Sequence, residues 1–191
     1  KKTNNGVIGL AHDSTPVYSV ASQLKQQGWG VGIMTTVTID HATPSAHYAH
    51  TPSRENYYTI GTQLVESNFD FFGGAGFSRP LDRNNADAPN LYDLAQQKGY
   101  ALVAGYEDVK NHSAAKKMIL LPEYYQDYYT SFAGSLPYAI DRTPSDLTLS
   151  QIVEVAIDRL STYDRFFIMA EGGKIDYASH ANDGATVLHE V

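Results

Sequence analysis

The chain contains no cysteine, which excludes a disulfide frame, a thiolate metal site and a cysteine nucleophile. Long apolar runs are missing too: none approaches the roughly 20 residues that a membrane-spanning helix needs. Basic residues are sparse. Fourteen Lys and Arg against 21 Asp and Glu give a formal net charge of −7. No Lys/Arg cluster offers a surface to nucleic acid or to an anionic membrane, so neither is expected as a partner. An acidic chain takes an anionic substrate only where metal ions supply local positive charge. No signal-peptide pattern opens the sequence, so such a segment was removed or never present. Absence of cysteine fits a cytosolic and an exported protein equally well.

What remains is the composition of a folded protein. Of 191 residues, 42% are hydrophobic and 12% aromatic, enough to bury one core, and a single domain over 1–191 is expected. Thr15-Pro16 reads as a helix start, with Val17, Val20, Ala21 and Leu24 at helical spacing and Gly28 as the stop. The β-branched run Gly30–Val37 reads as a buried parallel strand. Ser53 reads as the cap of a helix through Arg54–Ser67, with Ile60, Leu64 and Val65 inward. Phe69–Phe72 and Tyr100–Ala104 read as strands around a helix from Asn90-Leu91 to Lys98-Gly99. Thr148 and Gln151 form a capping box for an amphipathic helix to Ser161, with Ile152, Val155, Ala156 and Leu160 inward. Helices alternating with strands imply an α/β fold: a three-layer αβα arrangement on a mostly parallel central sheet. The Tyr-, Ser- and Pro-rich stretch 106–146, with its cluster Tyr124-Tyr125-Gln126-Asp127-Tyr128-Tyr129, is expected as a surface excursion.

Two segments carry chemistry. Ala170–His180 follows the strand-like Phe166–Met169 and delivers Glu171, Asp176 and His180 within ten residues. Asp and His four apart suit a borderline cation such as Zn²⁺, and a Glu five residues earlier suits a hard ion such as Mg²⁺. The same residues serve equally well as a polar turn after a strand. The second segment, Thr36–Arg54, follows the carboxyl end of the Gly30–Val37 strand, where open α/β sheets bind ligands. Thr43-Pro44 reads as a helix cap there, and Arg54 as a fork for an anion. Alternatively Thr43 only caps, Arg54 pairs with a surface acid, and His41, His47 and His50 are solvated.

Together these segments resemble the alkaline phosphatase family. The residues that carry the likeness are Thr36, His41-Ala42-Thr43-Pro44-Ser45-Ala46, Tyr48-Ala49-His50 and Arg54, then Glu171-Gly172-Gly173, Ile175-Asp176 and His180. Lys2-Thr3, Asn5-Gly6 and Gly9 add a third motif, in the family's order. The resemblance implies phosphate monoester hydrolysis through a phosphoserine, at a site of two zinc ions and one magnesium. It implies magnesium ligation by Thr43 and Glu171, and ligation of one zinc by Asp176 and His180. It makes Arg54 the catalytic clamp on two phosphate oxygens and puts His41 and Tyr177 beside the substrate. The family's serine motif and its later Asp-His pair and final His have no counterpart here. The chain is therefore expected to be the central portion of the catalytic domain, incomplete at both ends and inactive alone. The resemblance further implies export to the periplasm or outer surface, the homodimer that many family members form, and a leaving group held largely in solvent. Other readings are a sulfatase or phosphodiesterase of the same superfamily, and a binding or surface module that keeps the scaffold without chemistry.

Overall fold

The computed structural model describes residues 4–131 and 133–191; Lys2 and Thr3 of the first motif lie outside the described residues. Five strands form one sheet in the order β3-β4-β2-β1-β5, all parallel. They are β1 (Gly30–Thr35), β2 (Phe71–Gly73), β3 (Tyr100–Ala104), β4 (Lys117–Leu121) and β5 (Phe166–Glu171). Helix α1 (Val20–Gln26) precedes β1; α2 (Ala42–Ser45), α3 (Tyr57–Glu66), α4 (Leu91–Gln97) and α5 (Leu149–Leu160) lie between strands, with α6 (Gly173–His180) and α7 (Gly184–Glu190) after the last one.

The two-residue period of the strands divides the core between two faces. Val31, Ile33, Phe72, Ile119 and Leu121 meet Ala21 of α1, Ile60 and Leu64 of α3, and Leu91 and Ala95 of α4. Met34, Phe71, Met118 and Leu120 meet Ile152, Val155 and Ala156 of α5 on the other. This is the expected αβα layering. Gly73 lets α5 approach: a Cβ there would overlap Ile152 Cγ2. The capping box of α5 forms as expected, Thr148 Oγ1 accepting from Gln151 N at 3.2 Å and Thr148 N donating to Gln151 Oε1 at 2.9 Å.

Several expectations are corrected. The first helix begins at Val20 under Ser19, whose hydroxyl accepts from Ser22 N; Pro16 instead bridges Leu10. The helix over 57–66 follows Asn56, while Ser53 caps only its own turn through Glu55 N. Thr43 lies inside the first turn of α2, whose N-cap position belongs to His41. The stretch 106–146 is not simply a surface excursion, because β4 lies inside the sheet between β3 and β2. β5 is an edge strand, exposed or half-buried along its length. Among the described residues, no helix is long and apolar enough to cross a membrane.

Candidate active site at the carboxyl rim of the sheet

β1 and β5 run parallel in full register and end together, with Thr35 opposite Glu171. Parallel strands deliver their exit loops to one rim, where ligands gather in such sheets. Hydrogen bonds lace the two exits. Thr35 Oγ1 donates to Glu171 Oε2 at 2.7 Å, Thr36 N donates to Glu171 O at 3.1 Å, and Lys174 N donates to Thr36 Oγ1 at 3.0 Å. Gly173 makes the crossing possible, since a Cβ there would sit 2.9 Å from Val37 Cγ1.

A buried network then fixes the turn before α2. Asp40 is fully buried; its carboxylate accepts from Ser78 N at 2.8 and 3.0 Å and from Ser78 Oγ at 2.8 Å. Burial outweighs these bonds and pushes the Asp40 carboxyl up to about 6. Tyr48 Oη donates to Ile39 O at 2.6 Å from the other side. His41 therefore leaves a held backbone.

Two side chains, Arg54 and Tyr177, meet at His41. Its Nε2 accepts from Arg54 Nη2 at 3.2 Å, and Tyr177 Oη lies 3.3 Å from the same nitrogen. The rings of His41 and Tyr177 stand edge-to-face at 6.0 Å. Burial and then the Arg54 charge pull the His41 pKa down, against the carboxylates of Glu171, Asp176 and Glu55. A neutral imidazole with a free Nε2 lone pair is what an arginine donor requires. Its Nδ1 is buried and has no hydrogen-bond partner among the described residues. Glu171 and Asp176 act electrostatically on Tyr177 as well as on His41. Arg54, His41, Tyr177, Glu171 and Asp176 thus share one neighbourhood, although the two segments are far apart in sequence.

Asp176 and His180 stand one turn apart on α6, with Nε2 and Oδ1 at 3.5 Å, and both are largely exposed. Thr43 is exposed on α2, its carbonyl 3.2 Å from His47 Nδ1. Among the described residues, no group of three or more His, Asp or Glu side chains could hold a metal ion. The donor types still suit the implied ions: a carboxylate and an imidazole at helical spacing for Zn²⁺, oxygen donors from Glu171 and Thr43 for Mg²⁺. The unpartnered Nδ1 of His41 marks the same place as one where a polar group is still to be satisfied. The fit is therefore partial, with donors of the right kind in too small a number. Sequence reasoning passed over Thr35, Asp40, Ser78 and Lys174. Only Thr35-Thr36, polar residues closing an apolar strand, left a signal.

The model of the alkaline phosphatase family matches residues 1–191. Alkaline phosphatase 4 of Bacillus subtilis is 31% identical over all of this chain, which spans 40% of that protein. The structure of alkaline phosphatase from the Antarctic bacterium TAB5 superposes with a TM-score of 0.82 at 29% identity, over 99% of this chain and 52% of the other. A histidine-to-aspartate mutant of the TAB5 enzyme, with magnesium bound in its M3 site, matches with a TM-score of 0.79 at 27% identity, over 99% of this chain and 51% of the other. The chain thus spans about two fifths to one half of the length of these relatives. A family match over every residue, together with the shared parallel sheet, means that the chain belongs to the alkaline phosphatase family.

Proposed function

We propose that the protein carrying this chain hydrolyses phosphate monoesters, and that the rim between β1 and β5 supplies part of its active site. The observation that carries this reading is the convergence of Arg54 and Tyr177 on His41 Nε2 beside Glu171 and Asp176. Arg54 offers a planar fork whose paired N–H groups match two phosphoryl oxygens, and guanidinium keeps its charge at any working pH. Neutral His41 turns an accepting nitrogen toward that fork, which orients it without competing for the anion. Tyr177 Oη lies beside the same nitrogen, and its ring stands edge-to-face to the imidazole. Glu171, oriented by Thr35, and Thr43 are the magnesium donors in this reading; Asp176 and His180 are donors to one zinc. When bound, such ions offset charge on the phosphoryl group and the departing oxygen.

One carboxylate and one imidazole fill half of a tetrahedral zinc site. The 191-residue chain by itself is therefore proposed to bind zinc weakly and to lack turnover, while the polypeptide of the complete reading frame is active. Assaying both with an aryl phosphate in Zn²⁺ and Mg²⁺ tests the reading. Turnover by the complete polypeptide alone supports it; no phosphatase activity in that polypeptide overturns it. From family membership we further infer export to the periplasm or cell exterior, and a homodimer.

A further inference from the structure

The tyrosine cluster over 124–129 splits into two pairs with different surroundings. Tyr125 and Tyr129 pack on Tyr92, with ring centroids 5.5 and 5.2 Å away, and core packing accounts for them. Tyr124 and Tyr128 form an edge-to-face pair at 6.1 Å and line a cavity of about 430 Å³ instead. Tyr138, Ser135, Asp141 and Lys174 line it as well. That volume lies in the range of small-ligand sites, where apolar and aromatic walls surround a few polar groups.

Lys174 is the buried charge of that space. Only 5% of it is exposed, and among the described residues no carboxylate lies within ion-pair distance of its ammonium. Its partners are neutral: it donates to Ser135 Oγ at 2.8 Å and lies 3.3 Å from the centroid of Tyr138. An ammonium carries three donors, so one hydroxyl and one ring face leave it short of an acceptor. Glu190 and Asp141 act on it from a distance, and Arg142 opposes them. Glu190 is already engaged, accepting from Ala139 N at 2.6 Å and pairing with Arg142 at 3.6 Å. Asp141 is exposed. A buried cation held only by neutral groups is costly, and a bound anion relieves that cost.

This space is separate from the Arg54 cradle. Among the described residues, none that bonds to the side chains of Arg54 or His41 lines it. Tyr177 stands between the two, its ring 5.7 Å from the Lys174 ammonium and its hydroxyl 3.3 Å from His41 Nε2. We propose that the cavity is a ligand site in its own right, and that it takes a planar aromatic ring bearing a single carboxylate. The carboxylate pairs with Lys174, while the ring meets Tyr124, Tyr128 and Tyr138 through edge-to-face contacts. Asp141 on the lining selects against a second negative charge. The proposal stands apart from the hydrolytic reading, because Arg54 and His41 take no part in it.

Benzoate is the probe, titrated calorimetrically into the polypeptide of the complete reading frame. Cyclohexanecarboxylate has the same charge without the aromatic ring, and it should bind about two- to tenfold more weakly. Isophthalate, with a second carboxylate, should also bind more weakly than benzoate. Saturating inorganic phosphate should leave the affinity for benzoate unchanged. These comparisons need no variant to fold. Lys174→Met removes the charge and keeps an unbranched chain, and it should weaken benzoate binding by about 10- to 100-fold. Failure of benzoate to bind the wild type overturns the proposal, and so does undiminished binding to folded Lys174→Met. Equal affinity for the two monocarboxylates overturns it too, as does displacement of benzoate by phosphate, which would put the probe at Arg54. Turnover of an aryl phosphate by the same preparation decides the hydrolytic reading separately.

Discussion

Thr35 and Glu171 stand opposite each other at the last rung of the β1–β5 ladder, 136 positions apart in sequence, joined by a hydroxyl-to-carboxylate bond of 2.7 Å. Strand register therefore sets where this carboxylate points. Thr35 Oγ1 also accepts from Val37 N at 3.2 Å, so the hydroxyl is engaged on both sides. Thr35→Val keeps the shape and removes both bonds. Loss of an outer partner of a metal-binding carboxylate is expected to weaken magnesium binding by about 10- to 100-fold. The Val37 amide left without an acceptor should lower stability by about 1–3 kcal/mol. Thr35→Ser should restore most of both. Calorimetric Mg²⁺ titration and urea denaturation measure the two effects, and wild-type affinity in Thr35→Val would remove Glu171 from the magnesium site.

Arg54 reaches the rim from a turn rather than from a helix, with its backbone N–H bonded to Gly6 O at 2.7 Å. Its side chain then sits against His41. Arg54→Ala removes two charge-assisted hydrogen bonds, each worth about 1.5–3 kcal/mol, so inhibition by inorganic phosphate should weaken by at least about 100-fold. Arg54→Lys keeps the charge and loses the fork, and it should recover less than half of that free energy. An unchanged inhibition constant in Arg54→Ala would put the phosphate elsewhere.

Asp176 is exposed on α6 and its neighbour in reach is His180, at 3.5 Å. Asp176→Ala therefore disturbs little packing, and the thermal midpoint in the presence of a chelator should stay near that of the wild type. Zinc content of the purified, complete polypeptide should instead fall by about one equivalent, because a tetrahedral site tolerates the loss of a donor poorly. Elemental analysis decides, and full zinc content in the variant ends the assignment.

Local signals were legible and long-range ones were not. Thr148 and Gln151 cap each other across three residues, so sequence alone sufficed for α5. Thr15 and Ser19 offer the same hydroxyl chemistry four residues apart. Ser19 prevails because its hydroxyl also donates to His47 O, 28 positions away. Lys117–Leu121 is apolar enough for a strand, but its place between β3 and β2 depends on pairing that no local pattern encodes. At the rim, Arg54 was legible as an anion fork beside the plainer surface ion pair, whereas His41 and Tyr177 took roles only through resemblance to a family. Spacing alone left a capped helix and a surface ion pair equally open. The burial of Lys174 had no sequence signature, since a lysine beside two glycines and an acid reads as solvated.

Asp40 offers a stability test that is independent of catalysis. Its folded-state pKa of about 6 lies above the ordinary 3.8, chiefly through burial. Below pH 3.8 the group is protonated whether the chain is folded or not. As pH rises to about 6 the unfolded chain ionises first, so the neutral buried form loses its advantage and stability falls. Above that range the contribution is flat. A difference of about 2 units corresponds to roughly 3 kcal/mol. Asp40→Asn cannot ionise, so the wild-type stability relative to this variant should drop by roughly that amount between pH 3.5 and pH 7, as read from urea denaturation. Ser78→Ala should steepen the drop, because Ser78 Oγ donates to Oδ1 at 2.8 Å and favours the charged carboxylate. A difference that stays constant with pH would mean that the hydrogen bonds of Asp40 cancel its burial and leave its pKa unshifted, and one that rises with pH would mean that they outweigh it.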